Sequence, residues 1–369
     1  MEPYKPLVLP LDFLNWVELI PRLGRANRAI ANYEGILSAI PNPSVLLSPL
    51  TTQEAVLSSK IEGTQATLGE VYRFEAGDLI DGENKQQDIK EVLNYRKALR
   101  VAEKSLKERP LSLSLIREIH AVLMDSVRGQ EKNPGAFRVT QNWIGKPNSK
   151  IEEAFFVPPP PIRVNECMEN WENYYRDEEK DNLVQLAVLH AQFEIIHPFD
   201  DGNGRLGRIL IPLFLFEKKL LGRPMFYLSG YFESHRDEYV TLLRAIRNNE
   251  GWEEWVTFFL DAITSQSNEN TSKAQAILKL YDELKKQVIE ITHSQFAIPL
   301  LDEMFKLPIF RSNILYEMEK MPSRPMINKL LHQLKDAKIL KSLASGSGSR
   351  PEVLIFPALL NLCEGKQAF

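Results

Sequence analysis

Between residues 197 and 208 the chain reads His-Pro-Phe-Asp-Asp-Gly-Asn-Gly-Arg-Leu-Gly-Arg. His197 is the one side chain in this stretch able to take a proton near neutral pH. Asp200 and Asp201 supply carboxylates where a Mg²⁺ ion bridging two phosphates could sit. Gly202 and Gly204 flank Asn203 and free the backbone to bring N–H groups together. A helix beginning there adds the positive end of its dipole, which completes an anion cradle. Arg205 and Arg208, three residues apart, share a helical face and can both reach the anion. Base, carboxylate, cradle and paired guanidinium groups are the parts of a phosphoryl or nucleotidyl transfer site. Residue chemistry by itself does not say which group moves.

Such a loop needs rigid elements on both sides. Apolar patterning predicts a helix over residues 183–196, a break at His197-Pro198, and a second helix resuming after Gly204. Pro212 lies within that second helix and frees the carbonyl of Arg208. Upstream, helices are predicted over 23–40, stopped by Pro41 and Pro43, and over 51–61, with Thr51 or Thr52 as cap and Gly63 as stop. Two more are predicted over 87–106 and 112–124. Residues 137–163 are β-prone, with Trp143-Ile144 and Phe155-Phe156-Val157 around Gly145, Pro147, Asn148 and Ser149. That pattern predicts a β-hairpin whose second arm runs out through Pro158–Pro161.

Further on, residues 273–290 read as a charged connector helix. Residues 309–318 and 324–337 read as two helices with Ser323 as a cap, followed by strands at 339–340 and 353–356 around a turn at 344–349. Helix, helix and β-wing in that order predict a winged helix-turn-helix. The division expected is 1–105 for an N-terminal helical region, 106–264 for the core with its hairpin, 265–296 for the connector and 297–369 for the winged module. The fold class is mainly α.

Composition narrows the partners. A 369-residue chain, 44% hydrophobic and 25% charged with a net charge of −4, carries no global field for nucleic acid or membrane. Cys167 and Cys363 stand apart with no CxxC partner, which suits a reducing compartment. The opening MEPYKPLVLP lacks the pattern of a secretory leader, and the longest apolar run, 209–216, is too short to span a bilayer. A cytoplasmic protein without membrane partners is expected.

The segment 197–208 resembles the motif of the Fic family, His-x-Phe-x-[Asp/Glu]-Gly-Asn-Gly-Arg-x-x-Arg, at every fixed position. The hairpin region resembles that family's flap, and Tyr231-Phe-Glu-Ser-His-Arg-Asp-Glu-Tyr239 resembles the stretch lining its nucleotide pocket. The resemblance implies a Fic-fold helical core with a β-hairpin flap. It implies that His197 deprotonates a target hydroxyl and Asp201 holds Mg²⁺. Gly202, Asn203 and Gly204 would cradle phosphates, Arg205 and Arg208 would bind the outer ones, and Tyr231 and Tyr239 would touch the nucleoside. Phe199 would be a buried anchor. Doc-type kinases of the superfamily carry lysine where this chain has Gly204, so glycine favours transfer of AMP from ATP over phosphorylation.

Ser58-Ser-Lys-Ile-Glu62-Gly63 resembles the family's inhibitory pattern, [Ser/Thr]-x-x-x-Glu-[Gly/Asn]. By that resemblance Glu62 competes for Arg208 and restrains the enzyme, and the same glutamate supports removal of AMP. Implied partners are ATP, a protein target docked along the flap, this chain itself as target, and a second copy as homodimer. Other readings stay open: transfer of another nucleotide or of phosphocholine, and a DNA-binding regulator whose core senses nucleotide. The spacing of His190, Glu194 and His197 also mimics a metal-ligand face, although His190 reads more simply as packed support for the loop.

Overall fold

A computed structural model describes residues 2–78, 80–128, 131–145, 150–246, 250–318, 321–346 and 351–367. The described chain is mainly helical. It opens with α1 (Trp16–Ala39), α2 (Pro43–Leu46), α3 (Ser48–Ile61), α4 (Leu68–Glu75), α5 (Glu83–Leu106) and α6 (Leu113–Leu123). After the flap region come α7 (Pro161–Arg176), α8 (Asn182–Ile196), α9 (Asn203–Glu217), α10 (Ser229–Ser234) and α11 (Arg236–Ala245). The remainder is α12 (Trp252–Thr292), α13 (Ala297–Lys306), β1 (Ile309–Arg311), α14 (Arg324–Asp336), β2 (Lys341–Ala344), β3 (Val353–Ile355) and α15 (Pro357–Glu364). No described helix is long and apolar enough to cross a membrane.

Two compact units divide these elements. One comprises residues 1–34, 57–64 and 93–268, the other residues 35–56, 65–92 and 269–369. In the first, α8 is apolar on nearly every face and correspondingly buried all round, so it forms the axis against which α7, α9 and α11 pack. Its backbone is tied to its neighbours by side chains. Trp171 Nε1 donates to Leu189 O (2.8 Å) and Trp255 Nε1 to Ala187 O (2.8 Å). Helix α6 buries Leu115, Ile116, Ile119 and Leu123 on one face, and Ser112 caps it through the Leu115 N–H.

In the second unit the three short strands form one antiparallel sheet ordered β1-β3-β2, with Ile309 opposite Ile355 and Arg311 opposite Val353. Helix α14 buries Ile327, Leu330, Leu331 and Leu334, the i, i+3, i+4, i+7 stripe of an amphipathic helix.

Several expected elements differ. Residues 309–318 form strand β1 and a 3₁₀ turn, Ser312–Glu317, because pairing with β3, more than forty residues downstream, captures Ile309 and Phe310. Helix α3 starts at Ser48 with Pro49 in its first turn, which places Thr51 and Thr52 inside it. Ser323 stands at the N-cap of α14 without a capping bond from its side chain. The connector is the C-terminal part of α12, a 41-residue helix with neither Gly nor Pro to interrupt it. The flap forms a single bridge, Ile144 to Phe156, among the described residues. The turn residues Pro147, Asn148 and Ser149 lie outside the described residues, as do 347–349 of the wing turn.

Candidate active site

The loop between α8 and α9 takes its shape from a few specific bonds. His197 closes α8 in the left-handed region (φ 51°, ψ 59°), and Pro198 prevents the helix from continuing. Asn203, first residue of α9, accepts the Phe199 N–H at Oδ1 (2.9 Å) and donates from Nδ2 to Phe199 O (2.8 Å). Its side chain therefore staples the loop, with one of the two amide hydrogens spent on Phe199 O. Gly202 has φ 76°, and a Cβ there would stand 2.7 Å from Met124 Sδ. Under the loop, His120 of α6 stacks on Phe199 with ring centroids 3.8 Å apart. Its Nδ1 accepts the Gly135 N–H (2.9 Å) and its Nε2 donates to Asp201 O (2.9 Å). Burial lowers its pKa to about 4, so the ring is neutral with the proton on Nε2. His120 escaped the sequence reading; its only signal was a lone histidine on the apolar face of α6.

Arg208 is 2% exposed. It donates from Nε to Ser58 Oγ (2.8 Å), and from Nη2 to Ser58 O (2.9 Å) and to Glu62 Oε1 (2.6 Å). Burial would raise the Glu62 pKa, but the Arg208 charge and hydrogen bond, with help from Arg205 and His197, hold it below the usual value. The Glu62 side chain nevertheless keeps 41% of its exposure because it faces an open cavity. Gly63 ends α3 at φ 102°, with Thr64 N–H reaching back to Ser59 O, a Schellman-type stop that leaves Glu62 at the helix end. The Tyr239 hydroxyl bonds Arg208 and lies 3.0 Å from His190 Nε2.

A cavity of about 760 Å³ is lined by Glu62, Glu194, His197, Gly204, Arg208 and Tyr239, with Trp143 and Phe155 of the flap also on its wall. His197 Nδ1 sits 3.3 Å from Glu194 O, which must accept, so Nε2 is left unprotonated. Burial depresses the His197 pKa, keeping it neutral, and the Glu194 carbonyl, Glu62 and Asp201 pull the other way. Glu194 lies beside Arg208 with Oε1 unpartnered, and burial raises its pKa to about 7, with Arg208 opposing and Glu62 adding to the rise.

Asp201 Oδ1 accepts the Gly202 N–H (2.7 Å), and Oδ2 pairs with Lys132 (3.3 Å); Arg205 approaches at 3.9 Å. No cluster of three ligating side chains occurs among the described residues. A lone carboxylate beside a phosphate cradle suits Mg²⁺, an ion held by one or two carboxylates and the substrate's own phosphates. The spacing of His190, Glu194 and His197 does not produce a metal site. His190 is buried, stacked on Trp255 and bonded to Gly207 O and Tyr239, and burial pushes its pKa down to about 3. Ser58, Glu62, His197, Gly204, Arg208 and Tyr239 thus converge, with Asp201, Gly202, Asn203 and Arg205 on the adjoining loop. Tyr231 does not join them. It stacks on His235 (4.0 Å) and lines a separate cavity with Arg22, Glu238 and Phe258.

Residues 20–104 match the Fic/DOC family N-terminal model and residues 110–215 the Fic/DOC family model. The chain is 31% identical over 201 residues to a probable protein adenylyltransferase of Aquifex aeolicus, covering 54% of this chain and 55% of that protein. It is 29% identical over 162 residues to the protein adenylyltransferase fic-1 of Caenorhabditis elegans, covering 42% and 30%. The chain therefore spans about half the length of the first relative and less of the second. Among solved structures, a Fic family protein from Desulfovibrio desulfuricans superposes with a TM-score of 0.58 at 19% identity, covering 96% of this chain and 98% of that one. A Fic domain containing signaling protein from Bacteroides thetaiotaomicron gives 0.56 at 19%, covering 69% and 97%. Motif, helical fold and both family models agree: the chain belongs to the Fic/DOC family.

Proposed function

We propose that this protein transfers AMP from ATP to a Tyr, Thr or Ser hydroxyl of a protein, itself included, and that Glu62 restrains the reaction. The observation that carries this reading is one cavity lined by His197 on one wall and by the Arg208–Glu62 pair on another. The target oxygen attacks the α-phosphorus while its proton passes to His197 Nε2; the bond from that phosphorus to the bridging oxygen breaks and pyrophosphate leaves. Backbone N–H groups at 202–204 with Arg205 hold the polyphosphate, and Arg208 clamps its outer end once Glu62 withdraws. Asp201 would hold Mg²⁺, which neutralises phosphate charge when bound. Relatives at about 30% identity that are named protein adenylyltransferases support the same choice of transferred group.

Gly204 supports AMP transfer over phosphorylation, since no lysine stands there to bind the polyphosphate in a kinase-like orientation. Label transfer from ATP tests it. Label at the α-phosphate should reach protein, more strongly with Glu62→Gly and not with His197→Ala. Label arriving only from the γ-phosphate would overturn the proposal.

An ionised Glu62 open to the same cavity favours a second activity, hydrolysis of AMP from a modified target, with Glu62 drawing a proton from water. Residues 297–369 are read as a winged helix on the strength of the order α13, β1, α14, β2, β3 and the sheet order β1-β3-β2.

A further inference from the structure

The segment 138–142 captures three consecutive carbonyls of the catalytic turn. Arg138 Nε donates to His197 O (2.8 Å), Arg138 N–H to Pro198 O (2.9 Å), and Asn142 Nδ2 to Phe199 O (3.1 Å). The same guanidinium reaches the opposite arm of the flap, where Nη2 donates to Pro159 O (2.6 Å), and it also meets Ile196 O (3.3 Å) and Thr140 O (3.4 Å). Arg138 is 2% exposed. Its side-chain hydrogen bonds go to backbone carbonyls, two of them at the C-terminal end of α8, where the helix dipole favours a cation. A buried arginine spent on backbone carbonyls fixes chain geometry. The ends it joins are the turn that presents His197 and the arm that continues from the Ile144–Phe156 bridge.

We propose that Arg138 is a positioning residue that locks the flap to His197, so that a target docked on the flap and the base that activates its hydroxyl move as one body. Its kinetic consequence rests on the AMP transfer proposed above, whereas its geometric consequence does not. Arg138 does not itself line the cavity, and its side-chain bonds go to neither Glu62 nor Arg208, so nucleotide affinity is a separate quantity.

The test compares wild type, Arg138→Met and Arg138→Lys in the full chain. NMR follows the His197 ring and the amides of Ile144 and Phe156, calorimetry follows ATP affinity, and label transfer gives kcat. In Arg138→Met both sets of signals should shift together, ATP affinity should stay within about twofold, and kcat should fall on the order of a hundredfold, the scale expected for an ångström of misplacement. Arg138→Lys, which keeps the charge but loses the fork, should recover about tenfold of that loss. Unmoved His197 and flap signals, or a shift in one set alone, overturn the assignment. So does failure of both variants to fold, which would make Arg138 a scaffold residue only. If Arg138→Met alone fails to fold, a concerted shift in Arg138→Lys supports the lock and an uncoupled one overturns it. Absence of label in wild type sinks the transfer reading, while the NMR comparison still decides the role of Arg138.

Discussion

Glu62 Oε1 approaches Gly204 so closely that a Cβ added there would lie 2.1 Å from it, and 3.0 Å from Arg208 Nη1. The absence of a side chain at 204 is what lets the Glu62 carboxylate reach Arg208. Gly204→Ala should therefore push Glu62 aside and destabilise the nucleotide-free protein by about 1–2 kcal/mol. In a Glu62→Gly background the carboxylate is gone and the Arg208 guanidinium, no longer held by it, can shift from the added methyl, so alanine's helix preference should make the same change stabilising by about 0.5–1 kcal/mol. Denaturant melts of the four proteins in this cycle read the reversal of sign.

Glu62→Gly leaves the buried Arg208 without its carboxylate. The pair is open to the cavity on one side, so the loss should fall between exposed and buried cases, about 1–3 kcal/mol in the absence of nucleotide. ATP·Mg²⁺ then supplies a replacement anion. At a hundredfold excess over Kd it should raise stability by about 2.7 kcal/mol in the variant, and by less in wild type, where Glu62 must first be displaced. Thermal melts with and without ATP compare the two gains.

Glu194 gives a pH signature of its own. Its folded pKa, raised to about 7 by burial, lies above the ordinary carboxylate value of 4.5. A raised pKa favours the folded state while the group is protonated, and that contribution disappears as pH climbs from the ordinary value through 7. Glu194→Gln should remove this dependence and be more stable than wild type at pH 8, by on the order of 3 kcal/mol, with the difference shrinking toward pH 4.5. Urea titrations across that range measure it.

His120 supports the loop from below through two ring hydrogen bonds and a stack on Phe199. His120→Ala should destabilise the protein by about 2–4 kcal/mol, combining lost hydrogen bonds with lost stacking. It should also lower label transfer without abolishing it, because His197 remains in place. Circular dichroism melts and the transfer assay check both halves.

The residues legible in the sequence were those adjacent along the chain. His197 through Arg208 lie on one loop and one helix turn, so their types and spacing carry the chemistry without any tertiary knowledge. Ser58, Glu62 and Gly63 also lie within one short segment, but they stand out only by their resemblance to the family's inhibitory pattern. What escaped depends on long-range contact. His120 meets Asp201 across 81 residues and Arg138 meets His197 across 59, and no local pattern records either pairing. The second role of Asn203, two hydrogen bonds to the Phe199 backbone that fold the loop, has no sequence signature of its own. The strand at Ile309–Arg311 was read as helix because its partner stands more than forty residues further along. Local propensity decides only where tertiary pairing does not compete.

His197 holds a backbone conformation (φ 51°) that glycine adopts freely and a β-carbon resists. A left-handed non-glycine residue costs roughly 1–2 kcal/mol, and the histidine ring returns little of it, since its hydrogen bond to Glu194 O is long at 3.3 Å. Thermal robustness and reactivity consequently pull in opposite directions at this one position. A library of this chain screened for heat resistance alone should enrich glycine or asparagine at 197, yielding sturdier proteins that have discarded the imidazole on the cavity wall.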